Sequence, residues 1–420
     1  MMTVHDFQRR FSAIEAEASK VLLGQDEILR QTLVAIFAGG HVLIEGVPGL
    51  GKTLLVRALS HVLGSQYKRI QFTPDLMPTD VTGGNVFNQK EDRFVFHPGP
   101  VFTQLLLADE INRAPAKTQS ALLEAMQDFA VTADGVTRPL PEPFFVIATQ
   151  NPIESQGTYP LPEAQLDRFL MKLFVRHPTP AVEKRILASH AQGFSAARLD
   201  QAMLERVVTA EEIVEMRRAI SQVRIDDGIL SYITDIVAKS RSHRSVYLGA
   251  SPRGSIGLLA ASRAAAAAEG REFVIPDDVK SFAGPVLRHR ILLHPDAEIE
   301  GLRTDDCVEE ILEMRRAITG VRVDDGILSY ITDIVAKSRS HRSVYLGASP
   351  RGSIGLLAAS RANAAAEGRD FVTPDDVKSF AGPVLRHRVL LHPDAEIEGL
   401  RTDDCVEEIL RETKVPHTAA

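Results

Sequence analysis

Residues 215–312 recur at 313–410, and this repeat constrains the fold more than any other feature of the chain. The offset is 98 residues, and the copies differ at only seven positions: Ser221/Thr319, Gln222/Gly320, Ile225/Val323, Ala265/Asn363, Glu272/Asp370, Ile275/Thr373 and Ile291/Val389. Solenoid units run to about 20 to 50 residues, so a period of this length is a whole small domain present twice. The string EEIVEMRRAI at 211–220 is mirrored by EEILEMRRAI at 309–318, so the end of copy one supplies the helix start that copy two needs. Copy two is therefore expected to fold as a complete bundle, and the mostly conservative differences argue for a tandem duplication over the alternative, an artefact of sequence assembly. Cys307 and Cys405 are one cysteine counted twice. They cannot build a disulfide framework or a zinc cluster, and their scarcity fits a reducing compartment.

With 420 residues, more than one domain is expected. Lys and Arg number 48 against 55 Asp and Glu, which leaves no basic excess of the kind phosphate-backbone binding needs. Charges run through the N-terminal residues, and no stretch of 18 apolar residues occurs, so a soluble cytoplasmic protein without membrane insertion is expected.

Residues 3–38 read as two helices, with apolar positions at helical spacing through Phe7, Phe11 and Ile14 and again through Ile28, Leu33 and Ile36. Between 41 and 180, the apolar runs HVLIEG, YKRIQF, QLLLADE, PFFVIATQ and FLMKLFV alternate with helical segments, each consistent with a buried parallel strand. Hairpins are expected near 84–97 and 129–138, the second around an Asp134-Gly135 turn. After 180, helical patterns take over, at 182–192, 209–221, 226–242, 252–269 and 276–289. Pro276-Asp277-Asp278 is a good helix opening.

Gly46-Val47-Pro48-Gly49-Leu50-Gly51-Lys52-Thr53 matches GxxxxGK[ST], between an apolar strand and the helical run that begins Thr53-Leu54. Glycines let backbone N–H groups wrap phosphates at a helix N-terminus, Lys52 neutralises β/γ charge, and the Thr53 hydroxyl is a Mg²⁺ ligand. The run QLLLADE closes on Asp109-Glu110, of which Asp109 is expected to hold Mg²⁺ and Glu110 to polarise the attacking water. No guanine-recognition Asn-Lys-x-Asp is present, since Asn88-Gln89-Lys90-Glu91 does not fit it, so ATP is the expected nucleotide.

The string LLLADEINRAPAKTQSALLEAMQ, followed by ATQNPIE and YPLPEAQLDRF, resembles the MoxR family of AAA+ ATPases over essentially the whole chain once one repeat copy is removed. The resemblance implies an α/β P-loop AAA+ core over 1–180, a parallel sheet flanked by helices with β-hairpin insertions, followed by an all-α helical lid. That lid is present twice, at 181–312 and 313–410, with 411–420 a disordered tail. It implies that Asn151 is the polar sensor orienting water near the γ-phosphate, that Arg168 is an arginine finger reaching a neighbour's site, and that Gly24 and Gln25 line the adenine pocket. Arg253, at the start of a helix in GASPRG, resembles the lid's sensor arginine. Its twin, Arg351, leaves open which copy serves and whether the arginine acts within its own subunit.

The resemblance also implies a homo-oligomeric ring, most often of six, that remodels or activates a partner protein, commonly one with a von Willebrand factor A domain, and sometimes assists metal insertion. The hairpins would line the pore, or serve only as solvated edges. A helicase-like motor would need a basic stripe, whereas copy one of the repeat holds 13 basic and 15 acidic side chains. A nucleotide-gated scaffold stands as a further alternative, against which Asp109, Glu110 and Arg168 argue by being all present. His243, His289, His341 and His387 lack ligand-like spacing and are expected at the surface or at helix ends.

Overall fold

The computed structural model describes residues 2–90, 92–151, 158–193, 204–397 and 399–416, with the backbone alone for 314–319 and 396–397. The chain divides into two compact units, Met1–Glu309 and Glu310–Ala420. In the first, α1 (Val4–Ser19) and α2 (Asp26–Phe37) precede β1 (Val42–Glu45), α3 (Lys52–Val62) and β2 (Tyr67–Gln71). Next come α4 (Pro78–Thr82), β3 (Gly83–Asn88), β4 (Arg93–Pro98), β5 (Leu105–Asp109), α5 (Ala116–Asp128), β6 (Ala130–Ala133) and β7 (Val136–Pro139). The core ends with β8 (Phe145–Gln150), α6 (Glu163–Leu166) and β9 (Met171–Phe174).

The five apolar runs form one parallel sheet in the order β2-β5-β8-β1-β9. Strands β5 and β8 are buried along almost their whole length, as a sheet covered on both faces requires. The core side chains include Leu106, Leu122, Val146 and Phe169. Strands β3 and β4 make the first expected hairpin, paired from Gly83↔Pro98 to Asn88↔Arg93. Strands β6 and β7 make the second, turning at Asp134 (φ +53°) and Gly135 (φ +76°), the two positive angles that a tight hairpin turn demands.

Helix α1 starts at a reciprocal cap, in which the Thr3 hydroxyl accepts from the Asp6 amide and the Asp6 carboxylate accepts from the Thr3 amide. Phe7, Phe11 and Phe37 stack with centroids 5.2 to 5.8 Å apart and join α1 to α2.

Copy one comprises α8 (Ala210–Ile220), α9 (Asp227–Ser240), β10 (Val246–Leu248), α10 (Pro252–Ala268), α11 (Pro276–Leu287), β11 (Leu292–Leu293), α12 (Pro295–Ile299) and the start of α13 (Thr304–Gly320), with α7 (Pro180–Ala191) before it. Copy two repeats the pattern as α14 (Asp325–Ser340), β12 (Val344–Leu346), α15 (Pro350–Ala366), α16 (Pro374–Leu385), β13 (Leu390–Leu391), α17 (Pro393–Ile397) and α18 (Thr402–Glu412). Several bonds local to one copy recur in the other. Arg241 Nε donates to the Ala250 carbonyl at 2.9 Å, as Arg339 does to Ala348 at 2.7 Å, and both copies carry the two-stranded ribbon. Helix α18 runs on to Glu412 and Thr413 is buried, so ordered structure continues past residue 411, while 417–420 lie outside the described residues.

Copy one is seated on the core by buried polar bonds. Arg290 donates through Nε to Asp167 at 2.7 Å and through its terminal nitrogens to the carbonyls of Phe169 (2.6 Å), Leu170 (3.0 Å) and Asp167 (3.3 Å). His289 Nε2 donates to Phe169 at 2.9 Å. His243 and His289 are both buried just past the ends of α9 and α11, so the helix-end alternative holds and the surface one does not. Their arginine-rich surroundings concealed this: Arg241 and Arg290 direct their charge at backbone carbonyls, and Arg290 also at Asp167.

His41 is buried between the Met126 carbonyl and the Val146 amide, and burial holds its pKa down at about 4. Burial, and next the Arg290 charge, also push His289 well below the usual histidine value. An unfolded chain protonates these rings near 6.5 and the folded one does not, so their stabilisation is complete above that value and is lost as pH falls towards about 4. The urea midpoint is expected to fall on going from about pH 7 to about pH 5, and an unchanged midpoint would contradict this.

Candidate nucleotide site

The sheet order decides the site. Strand β8 stands between β1, which leads into the glycine loop, and β5, which ends in the acidic pair. The register sets Glu45 beside Gln150 and Ala108 beside Ala148, so Gly46 comes level with Asn151 and Asp109 with Thr149, two residues before it, all at the carboxyl ends of the strands. The Gly46 amide donates to the Gln150 carbonyl at 3.3 Å.

Gly49 (φ +86°) and Gly51 (φ +77°) occupy left-handed backbone that a side chain would strain. A Cβ on Gly51 would also come within 2.9 Å of Gln25 Nε2, which donates to the Leu50 carbonyl at 2.8 Å. Lys52 Nζ donates to Gly46 O at 2.5 Å across the loop. Burial lowers its pKa, and Asp109, Glu110 and Glu45 pull it back up. Beside the loop lies a cavity of about 430 Å³ lined by Gly24, Gln25, Gly49, Leu50, Gly51 and Leu54 from the sequence-expected set. Val182, Ile186 and His190 of α7 and Arg288 of copy one line it as well, and none of these was anticipated. Arg288 is braced by Asp305 at 2.9 Å and lies 4.6 Å from the centre of the Phe174 ring.

The acidic pair is gripped from two strands. Thr149 Oγ1 donates to Asp109 Oδ1 at 2.5 Å and accepts from the Glu110 amide at 2.8 Å. Arg69 donates twice to Asp109 Oδ2, at 2.7 and 3.2 Å. Gln71 Nε2 (2.7 Å) and Arg113 Nη1 (2.9 Å) both donate to Glu110 Oε2, and Glu110 itself sits at φ +55°. Arg69 and Gln71 lie two apart on β2 and so share one face. That spacing is visible in the sequence, but the pairing of β2 with β5 is not.

Asn151 is buried, and its carbonyl accepts from Asn112 Nδ2 at 3.5 Å. Residues 152–157, which complete its motif, lie outside the described residues. Arg168 is not among the residues lining the cavity and donates to the Leu123 carbonyl at 2.6 Å. Arg253 is exposed at the start of α10, two residues after Ser251, whose hydroxyl donates to Asp167, and it does not line the cavity either. Thus the glycine loop, Lys52, Thr53, Asp109, Glu110 and Asn151 come together at one edge, while Arg168 and Arg253 lie by the Asp167 turn.

These residues suit Mg²⁺ and a polyphosphate: a short loop with open backbone, a partly desolvated lysine, a helix N-terminus, a threonine hydroxyl and an adjacent carboxylate pair. Residues 41–171 match the model of the ATPase family associated with various cellular activities (AAA), and the AAA lid domain matches twice, at 238–311 and 336–409. The chain is 49% identical to YeaC of Bacillus subtilis strain 168 over 294 residues, which is 70% of this chain and 90% of that one. It is 40% identical to chaperone MoxR1 of Mycobacterium tuberculosis over 306 residues, 71% of this chain and 79% of that one. A crystal structure from Cytophaga hutchinsonii superposes with a TM-score of 0.68 at 39% identity, covering 73% of this chain and 94% of that one.

Thr149→Val is close in shape and removes both bonds of the hydroxyl, leaving the Glu110 amide and one Asp109 oxygen without it. A loss of about 1 to 3 kcal/mol in unfolding free energy is expected from urea titration, and a loss under about 0.5 kcal/mol would show that the bridge contributes little.

Proposed function

This chain belongs to the MoxR family of AAA+ ATPases, and from that premise we propose that it hydrolyses ATP with Mg²⁺ in a ring, most simply of six copies, to remodel or activate a client protein. The observation that carries the reading is the meeting of Lys52, Thr53, Asp109, Glu110 and Asn151 at one sheet edge beside the cavity.

Thr53 and Asp109 would hold Mg²⁺, which supplies charge neutralisation at the β- and γ-oxygens. The amides of Gly49 to Leu54 bind the phosphates, and Lys52 turns from the Gly46 carbonyl to the ligand's charge. Gly24 and Gln25 contact the base end, opposite Val182 and Ile186. Glu110 takes the proton of the attacking water at its carboxylate, whose Oε2 is held by Gln71 and Arg113. Asn151 orients that water. Arg168 needs a second subunit's site to act on, which supports an oligomer. Arg253, beside the same turn, would act there too.

The client is a protein, such as one with a von Willebrand factor A domain, rather than nucleic acid, in keeping with the acidic net charge of −7. The exposed edge-to-face pair Phe87 and Phe94, with centroids 5.4 Å apart on the β3–β4 hairpin, is an apolar contact of the kind a client could meet. No helix among the described residues is long and apolar enough to cross a membrane.

Glu110→Gln is expected to keep ATP binding and to lower steady-state turnover by about 10² to 10⁴-fold, the usual contribution of a general base. The same variant, loaded with ATP and captured from lysate, should retain a protein identifiable by mass spectrometry. Retention of nucleic acid in its place would favour a helicase-like motor, and unaltered turnover would remove Glu110 from the mechanism.

A further inference from the structure

The strand order gives the glycine loop two sides. Glu45, at the end of β1, is level with Gln150 of β8 on one side and with Phe174 of β9 on the other. The acidic pair and Asn151 belong to the β8 side. Phosphates held at the loop, with the terminal one turned to the acidic pair, leave the nucleoside on the β9 side. The cavity lies on that side, since Phe174 and Val175 line it and Asp109, Glu110 and Asn151 do not.

Arg288 reaches this side from copy one. It caps the end of α11, and its guanidinium lies 4.6 Å from the centre of the Phe174 ring, which is 39% exposed. It donates through Nε to Asp305 at 2.9 Å and through Nη1 to the Lys172 carbonyl at 3.1 Å. A guanidinium has five N–H donors, and the other three of Arg288 make no hydrogen bond among the described residues. The side chain is 14% exposed, and burial lowers its pKa while Asp305 pulls it back up. A cation partly stripped of water, with unused donors in the wall of a cavity, is satisfied by an acceptor bound there. Arg253, the lid arginine expected at the nucleotide, does not line the cavity.

The same local sequence in copy two is placed differently. Arg386 holds the matching position in Leu385-Arg386-His387-Arg388, pairs with Asp403 at 3.3 Å and donates to the Gly382 carbonyl at 3.3 Å, yet its side chain is 53% exposed. Local sequence therefore does not account for the burial of Arg288, whereas its seat against β9 and the cavity does.

We propose, on the ATPase reading above, that Arg288 binds the nucleoside of ATP, so that the lid of copy one holds the base and ribose of its own chain's nucleotide while the phosphates are left to the glycine loop and Lys52. The acceptors on offer are the ring nitrogens of adenine and the ribose oxygens. Phe174, Asp305 and the Lys172 carbonyl already fix the guanidinium, so little side-chain freedom is lost when the ligand binds. Asp305 is its positioning residue.

The test compares two probes on the full-length chain by titration calorimetry with Mg²⁺: ADP, and inorganic pyrophosphate, which has phosphates and no nucleoside. Arg288→Ala is expected to weaken ADP binding about tenfold and to leave pyrophosphate binding within about twofold, which also shows that the loop is intact. Arg386→Ala, the matching change in copy two, is expected to alter neither. Arg288→Lys keeps a charge facing Asp305 and gives up the guanidinium fork. It should lose part of the ADP affinity and none of the pyrophosphate affinity, and it carries the test if the alanine variant does not fold.

ADP affinity unchanged in the Arg288 variants overturns the proposal. Equal losses for ADP and pyrophosphate overturn it too, since they make Arg288 a phosphate contact, and a loss on Arg386→Ala in its place assigns the role to copy two. An unsubstituted chain that binds neither probe removes the nucleotide reading itself, and this proposal with it.

Discussion

The hydroxyl of Thr149 is the bond on which the site turns. It donates to the Asp109 carboxylate and accepts from the Glu110 amide, and so sets the acidic pair at the end of β5 from the neighbouring strand β8. A threonine can do both because one hydroxyl offers a donor and two acceptor lone pairs. Its burial removes the competition of water, which makes the geometry specific. The glycine loop is held in turn by the pairing of β1 with β8, through the Gly46 amide and the Gln150 carbonyl. The placement of one strand therefore aligns the groups expected at the phosphates with the group expected at the water.

The charged groups of this site are each bonded within the protein. Arg69 holds Asp109, Gln71 and Arg113 hold Glu110, and Lys52 leans on a backbone carbonyl. Each of these contacts lowers the cost of keeping polar groups partly out of water. A ligand that supplies phosphate charge has to compete with them.

The lid illustrates how context decides the meaning of identical residues. Arg290 and His289 are buried against the 167–170 carbonyls, while in the same local sequence Arg388 donates to the single carbonyl of Arg351 and His387 is exposed. A guanidinium that has lost its water needs several acceptors at once, and the turn around Asp167 provides them. Local structure is the same in both copies down to the Arg241–Ala250 and Arg339–Ala348 bonds, because those contacts are made within about ten residues.

Much of this protein was written in its sequence. Apolar runs marked all five sheet strands, the Asp134-Gly135 pair marked a hairpin turn, and the repeat marked two copies of one domain, because each is a pattern of neighbours along the chain. The glycine loop and the acidic strand end were legible for the same reason: phosphate binding needs open backbone next to a lysine and a hydroxyl at fixed spacing. What only the tertiary structure decided is which distant elements meet. The grip of Arg69, Gln71 and Thr149 on the acidic pair depends on strand order, the burial of His289 on the docking of copy one, and the presence of Arg288 rather than Arg253 at the cavity on how the lid is seated. Spacing along a chain sets local geometry, whereas strand order and docking arise from burial of surfaces that lie far apart in sequence.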